Sequence, residues 1–396
     1  MVYTTRKGEI RAAAAQFAPP GRIFQVQPYG QGNVHDTFLV TVRGAHLRDL
    51  EAAGEPHLIL QRLNTRVFRR PEPLMANLRT CTGHLRRRLA GVSLGLGRRW
   101  EVPRVLLTRD GRDHWLDPEG SYWRALSFIE NAQSLEVIQD LEHAREVGYA
   151  LGLFHALLSD LDPGILADTL PGFHQTPGYL QHFDEVLTRQ GAGPSPEVAS
   201  GLRSIAQRRG WVEVLEAARA RGRLKLRTIH GDPKVNNVMV DRANGQAVAL
   251  VDLDTVMPGL VHYDIGDCLR SGCNPLGEEI ESWETVRFDP ELCRAILRGY
   301  LSRAGGFLTG TDYEYLYDAI RLIAFELGLR FFTDYLEGNV YFKVRDREQN
   351  LLRALVQFRL TESVESQEKT IRAIIRDLSG DPGQRPHRKR GRTYPG

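Results

Sequence analysis

Residues 227–259, RTIHGDPKVNNVMVDRANGQAVALVDLDTVMPG, bring two acids and an amide together at a spacing suited to phosphoryl transfer. That reaction asks little covalent chemistry of a protein. It needs a carboxylate to orient or deprotonate the acceptor hydroxyl, hard oxygen ligands for Mg²⁺, and cations near the phosphates. Asp232 is the expected base. Asn237, five residues on, presents an amide oxygen to the metal, and Asp252 supplies the charged metal ligand. Lys234 follows the base by two residues, where it can neutralise a γ-phosphate as charge builds during transfer. His230 is expected to fix the loop rather than act as the base, because an ionised carboxylate already lies two residues away. Asp254 and Asp267 are candidates to assist a second metal, with structural hydrogen bonding the simpler expectation. The competing explanation is a polar hairpin whose Asp and Asn residues merely form turns.

Chemistry of this kind requires elements that converge. Val238-Met239-Val240 and the apolar run from Val248 to Val251 flank Asn244-Gly245, a hairpin signal that brings Asn237 and Asp252 side by side. Upstream lie a helical patch from Ile10 to Phe17, and alternation on both sides of a glycine-bearing turn in PYGQGNVHDTFLVTV (28–42). A further strand, HLILQRLN (57–64), precedes a helical pattern from about Pro73 to Leu89. A hairpin about 117–120 follows, its second strand running to Asn131. From there the pattern is mainly helical: Leu141, Ala144, Gly148, Leu151, His155 and Leu158 share one face, and long helices are expected at 312–337 and 350–378. His155, on that apolar face, reads as a satisfied core histidine. In the strand-rich part, Gly30-Gln31-Gly32 can admit a nucleotide's β/γ-phosphates to backbone N–H groups. Alternation directs Leu60 and Arg62 to one face, and by resemblance to kinases, which use a basic residue on the third strand, Arg62 is the candidate for the α/β-phosphates. Gln61 takes its place if the register slips by one. His35 belongs to the glycine-bearing loop expected to overhang the site.

His230-Gly231-Asp232-Pro233-Lys234-Val235-Asn236-Asn237 has the spacing H-x-D-x-K-x-x-N of protein kinases, and its His-Gly-Asp form resembles aminoglycoside and choline-type phosphotransferases. Val251-Asp252-Leu253 resembles their metal-binding aspartate, and Asp264 the downstream aspartate that buttresses the catalytic loop. A more extensive resemblance, to the N-acetylhexosamine 1-kinase branch, is carried by PYGQG (28–32), LILQRLNT (58–65), WRALSFIE (123–130), FHQTP (173–177), DLDTVMPG (252–259), GLRFFTDYLEGNVYF (328–342) and QNLLRA (349–354). It implies an α+β, two-lobed protein-kinase-like fold: an antiparallel-sheet N-lobe with one main helix, then a mainly helical C-lobe. It also implies ATP and Mg²⁺ as cofactors, a sugar acceptor, and acceptor contacts from Arg330 and Tyr341. Two positions depart from the branch. Gly32-Asn33-Val34-His35 stands where the branch has Gly-His-Ile-Asn, and Ser271 stands in the acceptor region where the branch can carry Phe.

The expected units are a nucleotide-binding lobe at 1–130, a catalytic and acceptor lobe at 131–380, and a basic, disordered tail at 381–396. That tail holds five Lys/Arg against one Asp, so the net charge of +3 becomes −1 without it. A solvated end explains it more simply than a nucleic-acid partner. No apolar run approaches the roughly 20 residues a membrane helix requires, and the N-terminal stretch develops no signal-peptide core, so a cytoplasmic location is the default expectation. Four cysteines without a C-x-x-C pair read as reduced thiols. The alternative acceptor is an aminoglycoside or amino alcohol, for which Asp334, Glu337 and Asp346 would supply negative charge. A binding module without catalysis is the third reading. The sequence leaves oligomeric state open.

Overall fold

In a computed structural model, the structure describes residues 7–18, 22–30, 34–42, 57–95 and 97–380. The first part comprises α1 (Lys7–Phe17), β1 (Ile23–Pro28), β2 (Asp36–Val42), β3 (His57–Arg62), α2 (Pro71–Leu89), β4 (Val105–Leu106), β5 (Trp115–Leu116) and β6 (Tyr122–Ser127). Its strands form one antiparallel sheet in the order β1-β2-β3-β6-β4, with β5 also on β6. Alternation sorts the side chains. Phe38, Val40, Leu58, Leu60, Trp123 and Ala125 pack beneath Ile10, Ala13, Ala14 and Phe17 of α1 in a core of their own. Residues of opposite parity face the rest of the molecule.

The remainder comprises β7 (Ala132–Ser134), α3 (Leu141–Leu158), α4 (Thr176–Gln190), α5 (Pro196–Arg208), α6 (Val214–Ala220), β8 (Arg227–Ile229), β9 (Val238–Asp241), β10 (Ala247–Leu250), β11 (Met257–Gly259), α7 (Val261–Gly272), α8 (Pro290–Ala304), α9 (Gly310–Glu314), α10 (Leu316–Leu336), α11 (Gln349–Ser366) and α12 (Glu368–Ser379). The fold is therefore α+β, an antiparallel sheet followed by a helical region. α2 does not share the sheet's core. Its apolar stripe, Leu74, Leu78, Cys81 and Leu85, enters the large core of the helical part with Val147, Leu151 and Phe154. α3 and α8 meet backbone to backbone: a Cβ on Gly148 would lie 2.7 Å from the Ile296 carbonyl carbon and closer still to its oxygen.

The single helix expected at 350–378 is two, broken at Gln367 (φ −109°, ψ 16°). The Gln367 side chain donates to the Phe288 carbonyl, which turns the chain so that Ile371, Ile374 and Ile375 reach the main core. Neither Gly nor Pro marks that break. The four cysteines are buried free thiols. Among the described residues, no helix is long and apolar enough to cross a membrane.

Candidate active site

β9 and β10 form the expected hairpin, and the N–H of Val251 donates to the Asn237 carbonyl at 2.9 Å, so Asn237 and Asp252 leave the hairpin as neighbours. The preceding loop is fixed group by group. Asp264, fully buried near the start of α7, accepts from the backbone N–H groups of His230 (2.6 Å) and Gly231 (2.8 Å), while His155 of α3 bonds its carboxylate at 2.8 Å and the Tyr300 hydroxyl at 3.0 Å. Thr255 donates its hydroxyl to the His230 carbonyl, and His174 donates to the Gly231 carbonyl, at 2.7 and 2.8 Å. Asn237 donates to the Asp232 carbonyl at 2.7 Å. His230 accepts from the Asp232 N–H and donates to the Val251 carbonyl, so its tautomer is set and it serves the loop. Gly231 is required, since φ is +89° and a Cβ would fall 2.7 Å from the Thr255 carbonyl oxygen.

This frame presents the partly exposed Asp232 carboxylate with the Lys234 ammonium 3.0 Å away. Burial pushes Asp232 upward, but the charge and hydrogen bond of Lys234, with the charge of Arg270 further off, outweigh it, and the carboxyl is held below the ordinary range. It stays ionised near neutrality. Asp252 adopts left-handed backbone, φ +63°, a conformation an aspartate holds at a cost of roughly 1–3 kcal/mol. Its side chain opens to solvent, yet the protein crowded around it, then the charges of Asp254 and Asp232, push its carboxyl up.

The donor set fits Mg²⁺. Asn237 spends its amide N–H on Asp232, leaving the amide oxygen, and the Asp252 carboxylate makes no hydrogen bond among the described residues; both are hard oxygen donors. Among the described residues no three His, Cys, Asp or Glu side chains converge as a metal nest. A cation here would take its remaining ligands from water or phosphate, as Mg²⁺ does.

The sheet's contribution differs from the expectation. Leu60 is buried under α1, and Arg62, on the same face, pairs with Asp36 beside Trp123; neither faces Asp252. Alternation assigned them one face correctly, but α1 covers that face. Gln61 points the other way and binds Arg124 of β6, which forms a buried ion pair with Asp254. His35 does not overhang an acceptor: it is buried and donates to Asp254 at 2.7 Å. Gly30 has φ +70° at the end of β1, whereas Gly32 lies outside the described residues, as does the basic tail.

Arg330, on α10, is ringed by Phe173, Tyr179, Tyr341 and Phe342 at 5.1–5.8 Å and makes no ion pair or hydrogen bond among the described residues. Burial draws its pKa down, but Tyr179, Tyr341, Glu326 and Asp232 together raise it, which places the guanidinium within the field of Asp232. The half-exposed Tyr341 is thus beside Arg330. The Ser271 hydroxyl accepts from the Val235 N–H at 3.1 Å and so also ties down the catalytic loop. Sequence reading missed Arg124, His174 and Glu326. The signal for Arg124 was a lone charge inside an apolar strand; His174 and Glu326, 152 residues apart, gave none.

The model of the phosphotransferase enzyme family (APH) matches residues 26–307. Among solved structures, the chain resembles an aminoglycoside phosphotransferase from Alicyclobacillus acidocaldarius at TM-score 0.56 and 15% identity, covering 93% of this chain and 94% of that one. It resembles a choline kinase from Cryptosporidium parvum at 0.57 and 14%, covering 93% and 97%. A spectinomycin phosphotransferase in complex with ADP and spectinomycin matches at 0.50 and 12%, covering 88% and 94%.

Proposed function

Because the chain belongs to the phosphotransferase enzyme family, we propose that it transfers the γ-phosphate of ATP to the anomeric hydroxyl of a neutral sugar, most simply an N-acetylhexosamine, giving the 1-phosphate. The carrying observation is the character of the acceptor wall. It offers an unpaired guanidinium, Arg330, set among four aromatic faces. Aromatic faces cover the apolar C–H surface of a sugar, and a guanidinium donates to hydroxyl or amide oxygens. A cationic acceptor would need free carboxylates there. Asp334 instead accepts from the N–H groups of Val340, Tyr341 and Phe342 and from Asn350, and Glu337 pairs with His182 and Arg189. Asp346 accepts from the Glu348 N–H at an exposed turn.

In this reading Asp232, ionised at neutral pH, accepts a hydrogen bond from the acceptor hydroxyl and takes its proton as the O–P bond forms. Lys234 exchanges part of its contact with Asp232 for the transferring phosphoryl oxygens, where charge is greatest in the transition state. Asn237 and Asp252 would hold Mg²⁺, which would supply charge neutralisation on the phosphates. The test is ADP release with Mg-ATP and a panel of N-acetylhexosamines, hexosamines, hexoses, choline and aminoglycosides. An N-acetylhexosamine should stimulate release most, and Asp232→Asn should lower that rate by about 10²–10⁴-fold. Stimulation confined to choline or aminoglycosides would replace the sugar reading.

A further inference from the structure

β3, the strand expected to carry a nucleotide-binding cation, has no lysine. Gln61 lies on the face of β3 away from α1, and opposite it in the β3–β6 register is Arg124. Arg124 is 2% exposed. Its hydrogen bonds run from Nε to Gln61 at 3.0 Å, from one Nη to Gln61 (2.8 Å) and Asp254 Oδ2 (2.7 Å), and from the other Nη to the Met75 sulfur (4.0 Å); that second Nη also lies 2.6 Å from Asp254 Oδ1, an ion-pair contact without hydrogen-bond geometry. Turning one donor to a phosphate would strip charge from a buried carboxylate, which is strongly unfavourable.

The same carboxylate is held a second time from the small lobe. His35 Nδ1 accepts from the Asn64 N–H at 3.0 Å, so Nε2 carries the proton and donates to Asp254 Oδ2 at 2.7 Å. Asn77 of α2 donates to the Val256 carbonyl at 2.9 Å. The short turn Leu253–Thr255 that follows Asp252 is therefore suspended from the loop before β2, from β6 and from α2. On its other side Val251 is fixed by Asn237 and His230. Asp252 keeps its left-handed conformation because the chain is held on both sides of it.

We propose that Arg124 and His35 are positioning residues for phosphoryl transfer: they clamp Asp254, keep it from binding metal, and so fix Asp252 as the single carboxylate of the cation site. The inference rests on the phosphotransferase reading. It gives the small lobe's buried cation a task distinct from phosphate binding. Hydrogen-bonded groups behind a metal ligand are commonly worth about 10–100-fold in metal affinity or activity when lost.

Calorimetric titration with ATP, with and without Mg²⁺ and in the absence of acceptor, separates the two tasks. Arg124→Met and Asp254→Asn should each weaken Mg-ATP binding by about tenfold or more while leaving metal-free ATP within about threefold. The double variant should be no worse than the weaker single, because both remove one contact. His35→Gln, which retains a donor near the Nε2 position, should stay close to wild type, whereas His35→Leu should follow Asp254→Asn. The His35 pair also decides the matter if Arg124→Met unfolds, as thermal denaturation would reveal. Tenfold weaker metal-free ATP binding in Arg124→Met, additive effects in the double variant, or equal behaviour of the two His35 variants would overturn the clamp. A wild-type chain that binds no Mg-ATP would instead overturn the phosphotransferase reading beneath it.

Discussion

At the scale of single residues, the least expected group is His174, whose ring carries the Gly231 carbonyl on one side and Glu326 on the other. A carbonyl can only accept, so Nε2 is protonated; an ionised Glu326 then favours a proton on Nδ1 as well. Burial pushes this imidazole's pKa down, but the charge and hydrogen bond of Glu326, the Gly231 carbonyl and the charge of Asp267 together raise it. Its folded value therefore exceeds the unfolded value of about 6.5. The resulting stabilisation is complete below about pH 6.5 and is lost as pH rises through the folded value. His143 and His262, which burial pushes down, act in the opposite sense and only below that pH. Urea unfolding followed from pH 6 to 8, below the range in which unfolded cysteines ionise, should show wild-type stability falling across this window. In Glu326→Gln the fall should be much shallower, and stability at pH 6 already lower. Equal slopes would mean that His174 is neutral in the fold. Asp232, Asn237 and Asp252 were legible in the sequence because one hairpin and one loop bring them together. His174, Glu326, Arg124 and Asp254 meet across more than a hundred residues in each pair, and local spacing holds no trace of such meetings.

Elements transmit these contacts, and α3 does so at close range. It carries His155 to Asp264, and its Gly148 and Gly152 let the α8 backbone approach. Gly148 was read as one of a row of apolar-face residues, which is correct for the helix but silent about what lies against it. A Cβ there would overlap the Ile296 carbonyl group, a rigid obstacle rather than a mobile side-chain end. Gly148→Ala gains helix propensity of up to about 1 kcal/mol but forces the helices apart, at a cost of about 3 kcal/mol or more. Denaturant titration should show a net loss of at least about 2 kcal/mol. Because α3 would carry His155 with it, activity should fall further than the fraction folded. A stabilised Gly148→Ala would mean the two helices are not in backbone contact. The same limit explains the strand faces: alternation correctly gave Leu60 and Arg62 a common side, and only the docking of α1 decides that Gln61's side is the inner one. Element type was legible from periodicity; which neighbour covers each face was not.

For the molecule as a whole, the division of apolar contacts does not follow the order of the chain. The sheet and α1 bury a small core of their own, while α2, inserted between β3 and β4 in sequence, belongs to the large core with α3, α7 and α8. Two cores of such unequal size should open at different free energies, with the smaller unit opening first. Ala14, fully buried between α1 and the sheet, is the place to test this. A carboxylate introduced there would lie without a partner in an apolar layer, and the small unit would lose several kcal/mol. Hydrogen exchange of Ala14→Glu should then show β1, β2, β3 and β6 exchanging at least about tenfold faster, while amides in α7, α8 and α10 keep their wild-type protection. α2 is the diagnostic element. If packing governs cooperativity, its amides stay protected with the helical part although the chain on either side has opened. Loss of protection in α2 together with the sheet would mean instead that chain continuity, not the core it joins, defines the unit that unfolds.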